Sequence, residues 1–461
     1  MKPILASFAA LALFACAPTQ PSVTRAPATD EIPAVDDVAF AAASLPRGVT
    51  RSNTLLAEDF LDLTFALESG QQLPGLLRYE GPVRVSMPSP RLAAYRPDLE
   101  NLLARLRSEA GIDIRSTTNP LAAQLHIEGV PAAEIQRAFP GAACFIIPGV
   151  TSWNQFRGSR GRVRWSDQTT LGQTGIFVPT DSTPQDIRDC LHEEIGQALG
   201  PANDIYRLPD SVFNDDNFHA ILTSFDMLML RTLYDPALRS GMPRSAAARV
   251  VPQVLDRINP AGRGVGNQPR SPESLEWKQQ IEAAMTRRNS RKARVAAADR
   301  AVWLAGQMKP VDHRLGTALV TRGRLTFRSR PEQAAVDFAN AYQLLSSRLG
   351  AGDIRTAQAA LHLAILGLKR GDFPQALSLA RNAKPAARRG QNAVLLSGLL
   401  AVEAQAQFGM GDKSKARATR IDSLKWARYA FGDINGTIQR EQAELELIGE
   451  IAPPTPVDLP R

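Results

Sequence analysis

Residues 190–200, CLHEEIGQALG, gather an imidazole, two adjacent carboxylates and an amide within six positions: His192, Glu193, Glu194 and Gln197. Groups of these types do two kinds of chemistry: they hold a divalent cation or they move protons. A His-Glu pair at the head of a helix suggests H-E-x-x-H, in which two histidines one turn apart share a zinc and the Glu is the base. The spacing fails here, because Gly196 stands four residues after His192 and has no side chain to offer. Adjacent carboxylates at 193 and 194 would still push one pKa toward neutrality, where a general base works best. A plainer reading also accounts for the stretch. Ile187, Cys190, Leu191, Ile195, Ala198 and Leu199 form an apolar stripe at helical spacing, with the polar residues as its solvated flank.

The surrounding sequence supplies the elements that position this stretch. Thr183-Pro184-Gln185-Asp186 is a helix start, with a capping residue followed by Pro at the first helical position, and Gly200-Pro201 is its end. Before it, residues 47–244 alternate helix and strand signals in the manner of one α/β unit. SNTLLAEDFLDLTFALESG and PDLENLLARLRSEAG read as amphipathic helices. Strands are expected in LLRYEGPVRVSM, IDIRST, AQLHIEGV, CFIIPGV and IFVPT. Residues 245–272, rich in Gly, Pro and Arg, read as a linker. From 273 to 451 strand signals cease and Ala- and Leu-rich helical runs take over, with a Pro-rich tail at 452–461.

The amino terminus, MKPILASFAALALFAC, has one Lys, an apolar run too short to span a bilayer, and Cys16. Leu13-Phe14-Ala15-Cys16 resembles a bacterial lipobox, which implies a signal peptide at 1–16, cleavage before Cys16 and lipid on its thiol. Residue 17 is Ala rather than the Asp that favours inner-membrane retention in enteric bacteria, so the expected home is a periplasm-facing outer-membrane lipoprotein of the cell envelope. Residues 17–46, rich in Pro, Ala and Thr, suit an extended tether. In that oxidising compartment the two remaining cysteines, Cys144 and Cys190, are expected to join, fastening the helix in question to a strand. The formal charge of +8 raises an anionic partner, but no nucleic-acid-binding signature accompanies it, so none is expected.

The helical half carries an internal repeat. Gly350, Gly390 and Gly432 close successive helices; Ala334, Ala376 and Ala416 open the second helix of each pair; Gly371-Asp372 recurs as Gly411-Asp412. The pattern resembles a long form of the tetratricopeptide repeat over about 310–450. That implies stacked helix pairs with a concave surface for an envelope protein or peptide.

Shifted by one residue, the opening stretch resembles the helix of the metzincin metallopeptidases. Their motif is H-E-x-x-H-x-x-G-x-x-H, with three histidines on zinc. In this register Glu193, Gln197 and Asn203 occupy the three ligand places, with Asp204 beside the last. Glu194 occupies the place of the catalytic Glu, and Gly200 ends the helix. DSVFND (210–215) resembles the turn beneath the metal, with Phe213 between Ser211 and Asn214 where Met is usual. LTSFDMLMLRTLYDP (222–236) resembles the closing helix of the matrixin branch. The whole of 47–244 also resembles a domain of unknown function found in lipoproteins of proteobacteria.

The resemblance implies an α+β zincin-like domain followed by an all-α, tetratricopeptide-like domain. It does not carry the zinc chemistry over, because Glu, Gln and Asn replace the histidines; zinc binds such ligands weakly, and they suit a hard cation such as calcium better, though only poorly. Two readings follow. One is a non-catalytic binding or scaffolding protein without a cofactor. The other is an envelope peptidase or hydrolase using Glu194 as base, helped by His192 or Asp204, around an unusual metal site. His219 is a further ligand candidate from outside the helix, whereas His126, His313 and His362 read as core or surface residues. No phosphate-binding loop and no G-x-S-x-G nucleophile motif is present.

Overall fold

The computed structural model describes residues 40, 48–159, 164–214, 216, 218–286 and 288–432. Cys16, the signal peptide, most of the 17–46 tether and the 452–461 tail lie outside the described residues, as do the last residues of the repeat region.

The first half runs α1 (Asn53–Thr64), β1 (Val83–Ser86), α2 (Arg96–Arg105), β2 (Ile114–Ser116), β3 (Leu125–Val130), α3 (Ala132–Ala138), β4 (Phe145–Pro148), α4 (Trp153–Ser159), β5 (Thr174–Pro179), α5 (Pro184–Ala198), α6 (Ser224–Leu233) and α7 (Arg244–Ile258). The strands form one sheet in the order β2-β1-β3-β5-β4, parallel except for β4, which runs antiparallel to β5 at the edge. Strand β5 is buried along its whole length, as a strand covered on both faces must be. On one face α1, α2, α5, α6 and α7 share a continuous core that includes Phe60, Leu103, Ile176, Ile195, Phe213 and Leu230. On the other, Ile135 of α3 and Trp153 of α4 pack over Phe177.

The stretch expected as a linker contains α7. Its Ala247, Val251 and Leu255 recur at helical spacing and bury against the same core as α1. Composition alone conceals this, because Arg and Pro alternate with those apolar positions. Asn259 then ties the helix end back to the start of the domain, donating to the Val49 carbonyl (2.8 Å) and accepting from the Val49 amide (3.1 Å).

Beyond it, α8 (Leu275–Met285), α9 (Arg291–Gln307), α10 (His313–Thr326), α11 (Pro331–Leu349), α12 (Ile354–Lys369), α13 (Phe373–Arg389), α14 (Ala393–Gly409) and α15 (Lys413–Phe431) form an all-helical region of successive hairpins. The recurring Gly-Asp pairs make the turns α12–α13 and α14–α15. Gly371 and Gly411 take positive φ (74° and 87°), which favours Gly, and the side chains of Asp372 and Asp412 cap the following helices. Ala334, Ala376 and Ala416 are all buried at the helix contacts. Among the described residues, no helix is long and apolar enough to cross a membrane.

The two halves are locked together by polar contacts. Arg355 of α12, 1% exposed at its side chain, pairs with Asp216 (Nε–Oδ2 2.9 Å) and also donates to the Pro209 carbonyl. Asn392 donates to the Phe218 carbonyl (3.1 Å) and the Ala393 amide donates to Gln185 Oε1 (3.0 Å).

Candidate functional site

Helix α5 starts where the sequence predicts. The Thr183 hydroxyl accepts from the Asp186 amide (3.1 Å) and the Asp186 carboxylate accepts from the Thr183 amide (3.3 Å), a reciprocal capping box. Cys190 is disulfide-bonded to Cys144, with Cα atoms 6.0 Å apart, and this ties the middle of α5 to the start of β4. Closing a loop with a separation of 46 residues stabilises a fold by about 4 kcal/mol in the chain-entropy picture. At 100° per residue, burying Leu191, Ile195 and Ala198 brings Glu193, Glu194 and Gln197 out on one side of the helix.

That side floors a cleft of about 970 Å³. The edge strand contributes Phe145 and Ile146, the loop after α5 contributes Asp204 and Tyr206, the chain after α1 contributes Glu68, and α8 contributes Gln279, Glu282 and Met285. Five carboxylates thus line it, and no described lining residue is basic, although the chain as a whole carries +8. Lys278, behind this lining, pairs with Glu68 (3.0 Å) and Glu282 (3.7 Å).

Glu194 is the distinctive group. It is 5% exposed, it lines the cleft, and its Oε2 is buried with no hydrogen-bond partner. Burial, reinforced by Asp204 and Glu68, pushes its carboxyl up to about 8. Glu193 and Gln197 are partly exposed, and Gln197 donates to Asp204 Oδ2 (2.8 Å). The elevated carboxyl makes a prediction. Between about pH 4.5 and 8 the folded chain holds a proton on Glu194 that the unfolded chain has released, so stability falls as pH rises through that window. Glu194→Gln removes this loss. Its melting temperature should equal the parent's near pH 4 and exceed it increasingly up to pH 8; a constant difference across that range would refute the shift.

The other residues singled out in the sequence are distributed differently. His192 is turned away from the cleft: its Nδ1 accepts from the Leu222 amide (3.3 Å). Burial, with Arg188 and Arg105 nearby, holds the imidazole well below its usual pKa. Neither it nor Glu194 is a solvated flank. Asn203 also turns away and donates to the Asp62 carbonyl (2.9 Å), so Asp204, not Asn203, shares the cleft with Gln197. The turn at 211–214 does lie beneath α5. Ser211 donates to Asp226 (2.5 Å), Asn214 donates to the Leu208 carbonyl (2.7 Å), and Phe213 is fully buried against Gly196. His219 donates from Nε2 to the Pro209 carbonyl (3.0 Å) rather than entering the cleft. His126, His313 and His362 are buried elsewhere, and none of the five histidines lines the cleft. No motif marks Glu68 or Glu282, which reach the cleft from the chain after α1 and from α8.

Fold and site together define a class: an α/β domain with a mixed five-stranded sheet, whose disulfide-tethered helix floors an acidic cleft, followed by an all-helical region. Residues 53–253 match the family described as a protein of unknown function (DUF2927), so a domain of that family occupies the first half and reaches into α7. No curated protein matches the chain.

Proposed function

We propose that the protein is an envelope-anchored binding protein, held to the membrane through lipid on Cys16. Its zincin-like cleft holds an extended peptide without cutting it, and its tetratricopeptide-like hairpins present a surface to a second envelope protein. The observation that carries this reading is the donor set on the cleft face of α5. Glu193, Glu194, Gln197 and Asp204 meet there, while every histidine is directed elsewhere. Catalytic zinc takes imidazoles or carboxylates from three places and leaves a fourth for water. Here one ligand place is an amide that donates to Asp204 and another is spent on a backbone carbonyl, so the residues present do not fit zinc. Among the described residues, no three His, Cys, Asp or Glu side chains converge as metal ligands. An edge strand beside the cleft supports an extended peptide, since β4 has no strand partner on its outer side among the described residues.

The competing reading, a hydrolase with Glu194 as general base, draws on the carboxyl near pH 8, a range in which protons exchange at neutral pH. Of its two candidate helpers it loses His192, because that ring is buried under Leu222, and keeps Asp204, which lines the cleft. The test is incubation of the full chain with a mixed peptide library, followed by mass spectrometry of retained and released species. Retention of intact peptides is expected. Cleavage that disappears in Glu194→Ala, with or without added zinc, would overturn the proposal.

A further inference from the structure

We propose that an aromatic seat at the joint of the two halves clamps the chain at Phe40, so that the membrane anchor pulls on α5 and α15 and not on the start of α1. The clamp is built from side-chain contacts; that the segment before it leads to a lipid rests on the anchored reading above.

Three observations carry it. The first is the occupant. Residues 17–46 are rich in Pro, Ala and Thr and hold a single aromatic residue, Phe40. Its ring is half-buried and packs on the core of the helical region. The second is the wall on α15. Trp426 and Tyr429, both buried, stand one turn apart beside that ring. Its centroid lies 4.5 Å from that of Trp426, tilted, and 6.2 Å from that of Tyr429, edge to face. Such arrangements are the attractive ones for aromatic quadrupoles. The third is the cation on α5. The Arg188 guanidinium lies over the Phe40 ring, with Cζ 5.5 Å from its centroid. Arg188 is 7% exposed and its Nη1 has no hydrogen-bond acceptor, so the π face offers negative density to a buried cation.

The other nitrogens of Arg188 fix where the seat stands. Nε donates to Asp98 of α2 (3.1 Å), and Nη2 donates to Gln391 in the turn between α13 and α14. The seat therefore exists only where α2 and α5 of the first half meet the last hairpins of the second. Phe40 touches both sides of that joint, Arg188 on one and Trp426 and Tyr429 on the other. A chain of Pro, Ala and Thr has little else with which to hold on, and one ring supplies a large apolar area in a single side chain. Clamping here shortens the link between lipid and body to residues 17–39, and a flexible chain of that length has a root-mean-square reach of about 25–30 Å.

Chymotrypsin, which cuts after an accessible Phe, reads the seat directly. In the full chain carrying Cys16→Ser, which removes the site of lipidation, cleavage after Phe40 should be about tenfold or more slower than in a free peptide of residues 33–47, since cleavage follows the population of the open form. Trp426→Ala should bring the rate to that of the peptide. Because Trp426 is also a core residue, a second variant removes the occupant instead. Phe40→Ala should leave the chain folded by circular dichroism and speed amide exchange in the C-terminal half of α15 by about tenfold, the scale of a lost aromatic contact. Cleavage after Phe40 as fast as in the peptide, or α15 exchange unchanged in Phe40→Ala, would overturn the clamp. The mass of the parent chain made in a bacterium reads the lipid separately. Lipid on Cys16 with Phe40 unprotected would overturn the clamp alone. Phe40 protected in a chain that acquires no lipid would overturn the anchored reading, and with it the role in anchoring, while the seat itself stands.

Discussion

Replacing Arg355 with Ala is expected to destabilise the folded chain by about 3–5 kcal/mol, the usual consequence of leaving one member of a buried ion pair alone. Arg355 and Asp216 are 1% and 4% exposed at their side chains, so solvent does little to screen the pair. The guanidinium also holds the Pro209 carbonyl and lies 5.1 Å from the Phe218 ring centroid, so one side chain joins α12 to the loop beneath the cleft helix. Burial already raises the Asp216 carboxyl despite this cation, and without it the folded state holds that proton to still higher pH. The deficit should therefore shrink as pH falls toward the unfolded carboxylate's own pKa, where the orphaned carboxyl is neutral in both states. Urea denaturation at pH 7 and pH 4 measures both effects. A loss below about 1 kcal/mol at pH 7 would show that the pair is not the lock between the two halves.

Gly196→His should fail to fold, or lose more than about 3 kcal/mol, although it restores the second histidine at the four-residue spacing from His192. A Cβ at this position would stand 2.7 Å from Phe213 Cζ and 2.9 Å from Leu222 Cδ2, both in the packed core. The glycine is thus a packing residue: it lets the 211–214 turn approach α5. The added ring would also lie away from the cleft. Gln197→His, by contrast, stands on the partly exposed cleft face and should leave stability within about 1 kcal/mol of the parent. Thermal melting with and without zinc separates the two. A Gly196→His chain that melts like the parent and binds zinc would refute the packing account.

Much of the architecture was legible before the structure. Strand signals located β1 to β5, with Leu125 to Val130 and Thr174 to Pro179 recovered to within two residues at each end, while β1 occupies only Val83 to Ser86 of the longer stretch expected. The two cysteines are joined, and the Gly-Asp turns and buried alanines recur where the repeat predicts. The short helices α3 and α4 were missed; at seven residues each they carry too few turns to show a period. Helix α7 was hidden by composition.

The cleft was less legible. Glu194, Glu193 and Gln197 were singled out by their types and do line it, but Asn203 and His192 do not. Adjacent positions on a helix differ by 100°, so the sequence names the candidate face only to within a residue on either side. Whether His192 looks into solvent or under the Leu222 amide depends on a segment thirty residues away.

By itself, then, the sequence determined what depends on near neighbours: caps, periods and turns; it also held the two cysteines that the fold joins. The tertiary structure alone decided what depends on distant segments meeting. That includes the wall contributed by α8, the choice of Asp204 over Asn203, the packing that requires Gly196, and the burial of the Glu194 carboxyl without a hydrogen bond. A pKa or an unmet hydrogen bond is a property of an environment, and the environment of Glu194 is assembled from residues 68 to 286.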